Sequence, residues 1–491
     1  MKKMKKQNKN LKKALAVLIA ALGLGTAWAD WRFVDGKLTN DNPRCSFPAQ
    51  VVTLTDGAGN LVKGLQLTGK NEESTKKIDF TDVAKDTGYK VISASAEALA
   101  RNCREFIAPD MFDLSERMFK DATTYGVYVT NIVISPNVVR FPKQWAQQTP
   151  LKTLKPEKFP YVKSFEDKCF SSCTNFQVDV GQLIDPGVTN IGTQAFYNVP
   201  VKGALYVTNL CHLGEMAFAF FGLSTVKGKY SNLESVKLAG PLEEIPRQGF
   251  RYAYSLKEVD LSGCLSLRSI EKEAFHGCCS LASDVARVVN PAVTNIGDFA
   301  FANTAIAGKL VLTNAQYIGP SAFYVGHDDI AKTYEGEARL TAIDLSGSQM
   351  KILHGAFCDQ NTLKSFVSGA RSLDIIGSQG NPFGGCTSLT NIWIKGPALT
   401  QQEMDWLGAY VQIYYPCIIY ASTNLPPANA SRTNWTGLAT NATPNELEKL
   451  SGLNRTNCFG VYQTKNGSRR AFFVHRRSPF EDKDGVMIIV R

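Results

Sequence analysis

Two apolar signatures alternate along the middle of the chain. The first is a short alternating run, clearest at Leu233/Val236/Leu238, Leu256/Val259/Leu261, Leu340/Ile343/Leu345 and Leu389/Ile392/Ile394. Strand side chains alternate, so the last two apolar positions of each run turn to one face and predict a short strand. The second signature is an aliphatic residue, three others, a small residue and a phenylalanine. It stands at Ile191/Ala195/Phe196, Leu213/Ala217/Phe218, Ile245/Gly249/Phe250, Ile270/Ala274/Phe275, Ile296/Ala300/Phe301, Ile318/Ala322/Phe323 and Ile352/Ala356/Phe357. Weaker copies lie at Phe165/Cys169/Phe170 and around Ile376 to Phe383, whereas Ile107/Met111/Phe112 is too degenerate to count. From Phe170 onward the phenylalanines are 26, 22, 32, 25, 26, 22, 34 and 26 residues apart. Most intervals fit one coil of about 20–29 residues, and the two long ones imply insertions.

The repeat is sharpest where Cys173 to Phe196 is laid on Cys278 to Phe301. Each begins with Cys, places an apolar residue three later and a valine four after that, and passes a proline (Pro186 or Pro291). Each then closes on Val-Thr-Asn-Ile-Gly and Ala-Phe. A single coil cannot bury its own leucines, but stacked coils make a continuous core in which each repeat meets only its neighbours. The phenylalanine and its small neighbour then fill the side of the coil opposite the strand, a packing role.

With Phe170-x-x-Cys173-x-x-Phe176, Phe275-x-x-Cys278-x-x-Leu281 and Phe383-x-x-Cys386-x-x-Leu389 joined to Ile-x-x-x-Ala-Phe, residues 160–400 resemble BspA-type leucine-rich repeats. The cysteine position departs from that pattern at Val199, Phe221, Ala253, Thr304, Gly326 and Gln360. The resemblance implies an α/β-type leucine-rich-repeat solenoid, right-handed, with a strand-lined concave face and mostly β and irregular coils. It also implies a secreted or surface protein, bacterial or protist, that works as an adhesin or ligand-binding module.

The flanks read differently. Residues 1–29 hold seven lysines and no acid, then an apolar run from Ala14 to Leu24 and Ala27-Trp28-Ala29. A basic start, a short apolar core and an A-x-A site form a secretory signal peptide, with cleavage expected after Ala29. The run is too short for the roughly 20 residues a membrane span needs. Neither a later membrane helix, a lipoprotein cysteine nor an LPxTG-type anchor is expected. Removing the seven lysines lowers the formal charge from +10 to +3, which gives no electrostatic reason to expect nucleic acid. Residues 30–105, with strands near Val51–Leu54 and Leu61–Leu67 and a short helix at Ala94–Cys103, are expected to cap the first coil. The expected solenoid spans 106–400, with its clear repeats at 165–395. A terminal cap and linker follow at 401–457, loosest over Asn424–Asn445, where the sequons Asn429, Asn434 and Asn441 read as Asn-rich loop. Strands at 459–464 and 470–475 around Asn466-Gly467 predict a small β-rich C-terminal hairpin element over 458–491, with a last apolar run at Val486–Val490.

Little chemistry is legible. The 44% hydrophobic and 20% charged residues are those of a folded, water-soluble chain. The 12 cysteines include Cys173, Cys278 and Cys386 at one repeated position, where a buried thiol packs as a small hydrophobe; the others leave room for a few bridges. His212, His276, His327, His354 and His475 are scattered, and neither His327-Asp328-Asp329 nor Asp482-Lys483-Asp484-Gly485 has the ligand set of a metal site. No nucleophile elbow, phosphate loop or dinucleotide fingerprint occurs. No catalytic residue, cofactor or metal is therefore expected, and the reading is a secreted or cell-surface binding protein for a protein or glycan ligand. The alternatives are an extracellular or periplasmic hydrolase with catalysis in a flank and a structural envelope protein. Outward positions on the strands nominate Tyr206, Lys237, Glu258, Asp260, Asp344, Asn391, Trp393 and Lys395 as the ligand surface.

Overall fold

The computed structural model describes residues 31–41, 44–73, 75–95, 102–120, 128–221, 232–326, 337–345, 348, 351–352, 355–368 and 382–394, with strands at 417–421, 435–436, 458–464 and 470–475. The chain divides into two compact units, one of residues 1–162 and 169–176, the other of residues 163–168 and 177–491. Among the described residues each unit contains β-coils of solenoid type, with little helix.

Unit one begins with an antiparallel meander, Trp31–Val34, Lys37–Asp41, Arg44–Thr55 and Leu61–Leu67, to which Lys90–Ala94 adds in parallel. The two expected strands are therefore present. The expected helix at Ala94–Cys103 is not supported at its ends: Ala94 closes a strand and Asn102 and Cys103 are non-helical, while 96–101 lie outside the described residues. A short helix sits instead at Val83–Thr87, stopped by Gly88 at φ 78°, the left-handed position glycine takes at no steric cost. A parallel ladder follows, with Glu105–Ala108 between Lys77–Asp79 and Asn131–Ile134, and Thr153–Lys155 on the far side of the latter. Two coils unread in the sequence are present here. Their motifs are Leu114/Met118/Phe119 and Phe141/Trp145/Ala146, the second with its large and small residues exchanged. The tip of the long hairpin is tied down by Asp56, which accepts from the Asn60 amide at 2.8 Å and from Asn137 Nδ2 at 2.8 Å.

Unit two stacks its coils through three ladders. The first is the long-strand face: Val178–Asp179, Val201–Val207, Asn232–Ala239 and Glu258–Gly263 in parallel, then Ala307–Val311, Arg339–Leu345, Ser365–Ser368, Asn391–Ile394 and Cys417–Ala421. The expected C-terminal hairpin, Cys458–Thr464 with Arg470–His475, continues this face, because Arg470–His475 pairs in parallel with Cys417–Ala421. Trp435–Thr436, inside the stretch expected to be linker, pairs with the hairpin as a strand. The second ladder is made of two-residue strands such as Asn190–Ile191, Ser269–Ile270 and Asn295–Ile296, each contributing the aliphatic residue of the second signature.

The third ladder runs along the turn that carries the phenylalanine. Gln194, Phe196 and Asn198 donate their N–H groups to the carbonyls of Glu215, Ala217 and Ala219 at 2.8, 2.9 and 3.0 Å. Met216, Phe218 and Phe220 repeat this onto Arg247, Gly249 and Arg251. Every second N–H can point to the next coil because the residue before the small one is left-handed: Gln194, Met216, Gln248, Glu273, Phe299 and Ser321 all lie at φ between 53° and 57°. A second left-handed residue follows two after the phenylalanine, as at Asn198, Tyr252, Asn303 and Asp359. Left-handed backbone costs an ordinary residue roughly 1–2 kcal/mol. The inter-coil hydrogen bonds, roughly 0.5–1.5 kcal/mol each, offset it.

The thiols of the repeated cysteine position do more than fill space. Cys278 Sγ donates to the Phe250 carbonyl at 3.1 Å, Cys386 Sγ to the Phe357 carbonyl at 3.1 Å and Cys173 Sγ to the Ala146 carbonyl at 2.8 Å. In each case the acceptor occupies the phenylalanine position of the preceding coil. At one departure from the pattern Gln360 supplies the same bond, from Nε2 to the Phe323 carbonyl at 2.7 Å, and at another Thr304 bonds the Phe301 carbonyl of its own coil at 2.9 Å. The position thus selects a side-chain donor as well as a volume. Burial pushes the Cys173 thiol up to about 11 and that of Cys278 higher still, which keeps both as neutral donors. Among the ten cysteines whose side chains are described, no disulfide joins one to another.

Coil lengths repeat in blocks of four. Phe170 and Phe275, Phe196 and Phe301, and Phe218 and Phe323 are each 105 residues apart, Phe250 and Phe357 107, and Phe275 and Phe383 108. The geometry repeats with them. Helices Val180–Leu183 and Val285–Val288 replace most of the strand in equivalent coils, each capped by an aspartate, Asp179 or Asp284, accepting an amide at 3.0 Å. The following strands both shift register at a left-handed glycine, Gly203 at φ 82° and Gly308 at φ 94°. A Cβ on either glycine would meet the capping carboxylate, at 2.8 and 3.0 Å respectively. The near-identity of Cys173–Phe196 and Cys278–Phe301 is therefore one part of a duplicated four-coil block.

Candidate functional site

Three nominated residues form one row across neighbouring strands. Tyr206 is in register with Lys237, and Lys237 with Asp260. Their positions follow from the alternation: Leu205, Val207, Val236, Leu238, Val259 and Leu261 turn inward and are at most 1% exposed, which forces the residues between them outward. Tyr206 is 46% exposed. Lys237 Nζ stands 5.8 Å from the centroid of its ring and 3.8 Å from Asp260 Oδ2. Asp260 Oδ1 accepts from the Ser262 hydroxyl at 2.6 Å and its amide at 3.0 Å. The Ser262 hydroxyl first, then its amide and the Lys237 and Arg287 charges, hold the Asp260 carboxyl below the usual carboxylate range. Glu258, two residues earlier on the same face, pairs with Arg287 at 3.3 Å.

The other nominees lie elsewhere on the face. Asp344 is in register with Val311 and Val367, and Val367 with Trp393. Asp344 pairs with Lys309 at 3.0 Å; Val367 is buried, at 4% exposed, while Val311, Asp344 and Trp393 are half-buried. Asn391 is in register with Ser365. Lys395 lies outside the described residues, as do His327-Asp328-Asp329, the sequons, Asp482–Gly485 and Val486–Val490. The coil bearing helix Val285–Val288 packs against Glu258–Gly263 on one side and Ala307–Val311 on the other, and so separates the two rows.

A second concentration of charge, absent from the sequence reading, sits on the phenylalanine-bearing turns. Arg251 lies 4.6 Å from the ring centroids of both Phe221 and Tyr252 and pairs with Glu273 at 2.7 Å. Gln248 Nε2 donates to the same carboxylate oxygen at 2.9 Å, and His276 Nδ1 lies 4.0 Å from it. His276, Gln248 and Arg251 together hold the Glu273 carboxyl at about 2, against the opposing effect of burial. The charges neutralise one another within the cluster, which joins adjacent turns and is structural. Its signal in the sequence was weak, because Arg251 and Glu273 meet only when coils stack.

Among the described residues no group of His, Cys, Asp and Glu is placed to hold a metal ion, and no helix is long and apolar enough to cross a membrane. Residues 113–224 and 228–327 match the BspA-type leucine-rich-repeat region, in six copies. The chain carries BspA-type leucine-rich repeats. These BspA-type repeats thus begin earlier than their phenylalanine signature is legible, at the coil of Leu114/Met118/Phe119. Among solved structures the chain is similar to a leucine-rich repeat protein from Bacteroides ovatus, with 18% identity and a TM-score of 0.35, over 73% of this chain and 95% of that one. It is also similar to a leucine-rich cell surface protein from Faecalibacterium prausnitzii, with 14% identity and a TM-score of 0.32, over 80% of this chain and 91% of that one. No curated protein matches the chain.

Proposed function

We propose that this is an exported, surface-exposed binding protein that holds its ligand on the long-strand face, with residues 30–105 and the C-terminal hairpin closing the ends of the core. The observation that carries this reading is the row Tyr206–Lys237–Asp260, its tyrosine and lysine exposed, where an aromatic ring, a donor and an acceptor stand in register on one sheet. Sites built on packed strands hold their side chains in place better than sites on loops, and an exposed tyrosine among polar neighbours suits a binding hot spot. The lysine-rich start with its short apolar run and Ala27-Trp28-Ala29 supports export.

The test uses the chain from Asp30 to Arg491 on arrays of immobilised extracellular-matrix proteins and of oligosaccharides. Saturable binding to at least one class, weakened about tenfold or more by Lys237→Ala with an unchanged melting temperature, is the expected result. A chain that binds neither class, or whose binding ignores the face entirely, overturns the proposal.

A further inference from the structure

The duplicated block provides a comparison inside one chain: the same backbone in the same register, with different outward residues. Tyr206, Lys237 and Asp260 in the first copy correspond to Val311, Asp344 and Val367 in the second, and the pairings Tyr206 with Lys237 and Val311 with Asp344 are equivalent. Four inward positions keep their chemistry. Leu205 matches Leu310, Leu233 matches Leu340, Val236 matches Ile343 and Leu238 matches Leu345, all buried. The scaffold therefore does not require an aromatic, a lysine or an aspartate at the row; the second copy builds the same sheet without them.

Resting on the binding reading above, we infer that the row Tyr206–Lys237–Asp260 is a sugar-binding site of the first copy, taking adjacent hydroxyls of a pyranose ring. At 3.8 Å the Lys237 ammonium and the Asp260 carboxylate attract each other but are too far apart to hydrogen-bond. One sugar hydroxyl can accept from Lys237 while its neighbour donates to Asp260 Oδ2. Oδ1 is engaged by Ser262, which fixes the carboxylate's orientation, and the carboxyl stays ionised through the neutral range. The exposed Tyr206 ring offers an apolar face to the C–H side of the sugar. A sugar is favoured over a protein partner by the company the tyrosine keeps. Apart from Asn232 and the glycines, the other outward residues on these strands are lysine, alanine, glutamate, serine and aspartate, types depleted from protein–protein interfaces.

The substitutions that test this are those the second copy already carries: Tyr206→Val, Lys237→Asp and Asp260→Val, made together in the chain from Asp30 to Arg491. The probe is an array of neutral hexose and N-acetylhexosamine oligosaccharides, read beside intact and enzymatically deglycosylated matrix proteins at physiological salt. We expect oligosaccharide binding by the parent chain, a loss of tenfold or more in the triple variant, and a melting temperature unchanged within a few degrees. Arg247→Ala, on a phenylalanine-bearing turn where Arg247 pairs with Glu215 at 2.8 Å, is expected to leave binding unchanged. Oligosaccharide binding that survives the triple substitution overturns the site while leaving a binding function intact. Binding only to deglycosylated protein, lost in the triple variant, keeps the face and overturns the sugar. Binding to neither class overturns both readings.

Discussion

The two units use the same kind of aromatic core in opposite ways. In unit two the rings of Phe196, Phe218, Phe250, Phe275, Phe301, Phe323, Phe357 and Phe383 stack in file, with centroids 5.1–5.8 Å apart and interplanar angles of 0–15°. In unit one Phe80, Phe106, Phe119 and Trp145 meet edge to face, at 75°, 70° and 79°. Trp145 also meets Phe141 at 63° and Phe170 at 79°. The difference lies in the residue before the ring. Unit two places Ala or Gly there in every coil from Ala195 to Ala356, so each phenylalanine enters the same space in the same orientation. Unit one has Met118, Trp145 and Cys169 there, and Phe141 where the coils from Ile191 to Ile352 have isoleucine or leucine. Large side chains at neighbouring positions cannot all lie flat, so the rings interlock edge-on. A constant small neighbour converts an aromatic core into a periodic one.

The sharpest way to break the comparison is Trp145→Ala, which empties a site bounded by three rings. It is expected to cost about 4–5 kcal/mol, at the high end for a buried aromatic, measured by urea unfolding. Adding Ala146→Phe restores the order of unit two, but rescue is expected to be partial because Phe141 still occupies the aliphatic position. Full rescue would mean that the edge-on network is merely a repeat written in a different order. A middle-sized effect is expected from the cluster on the turns of unit two. Glu273→Gln leaves the half-buried Arg251 without its ion pair and should cost about 2–3 kcal/mol, somewhat less than breaking a fully buried pair. The folded-state value of Glu273 lies below its ordinary 4.5, near 2. Its contribution is therefore present above pH 4.5 and is lost as the pH falls through the interval from about 4.5 to about 2. The parent chain should lose stability over that interval more steeply than Glu273→Gln does; parallel curves would show that the carboxylate is not coupled to folding. The smallest effect tests the turn ladder. Gln194→Gly should change stability by less than about 1 kcal/mol, because Gly355 already occupies the equivalent place at φ 66°. Gln194→Val should cost about 1–2 kcal/mol, since a β-branched residue resists left-handed backbone. Equal melting temperatures for the glycine and valine variants would remove backbone strain from the account.

What could be read before folding followed from periodicity. Ile191/Ala195/Phe196 and its copies announced the stacked core because each coil must bury the same few side chains. The alternation in Leu233/Val236/Leu238 likewise fixed which residues of Val201–Val207, Asn232–Ala239 and Glu258–Gly263 face outward. The copy at Leu114/Met118/Phe119 was illegible because Met118 stands where the motif is small, and that at Phe141/Trp145/Ala146 because its large and small residues are exchanged. The row Tyr206–Lys237–Asp260 was legible as three separate outward residues, yet not as a row: register between coils depends on loop lengths of 22 and 32 residues between phenylalanines, with a bulge at Gly203.

The sequence by itself thus determined the repeat, the identity of the core and the outward face, because those depend on neighbours a few residues apart. Only the tertiary structure decided which outward residues meet and that the cysteine position is a hydrogen-bond donor. It also decided that Arg251 finds Glu273, and that one row of the duplicated block exposes a tyrosine and a lysine while the other has a buried valine at its centre. Each of these joins residues one or more coils apart, and their distances are set by the stacking of backbones.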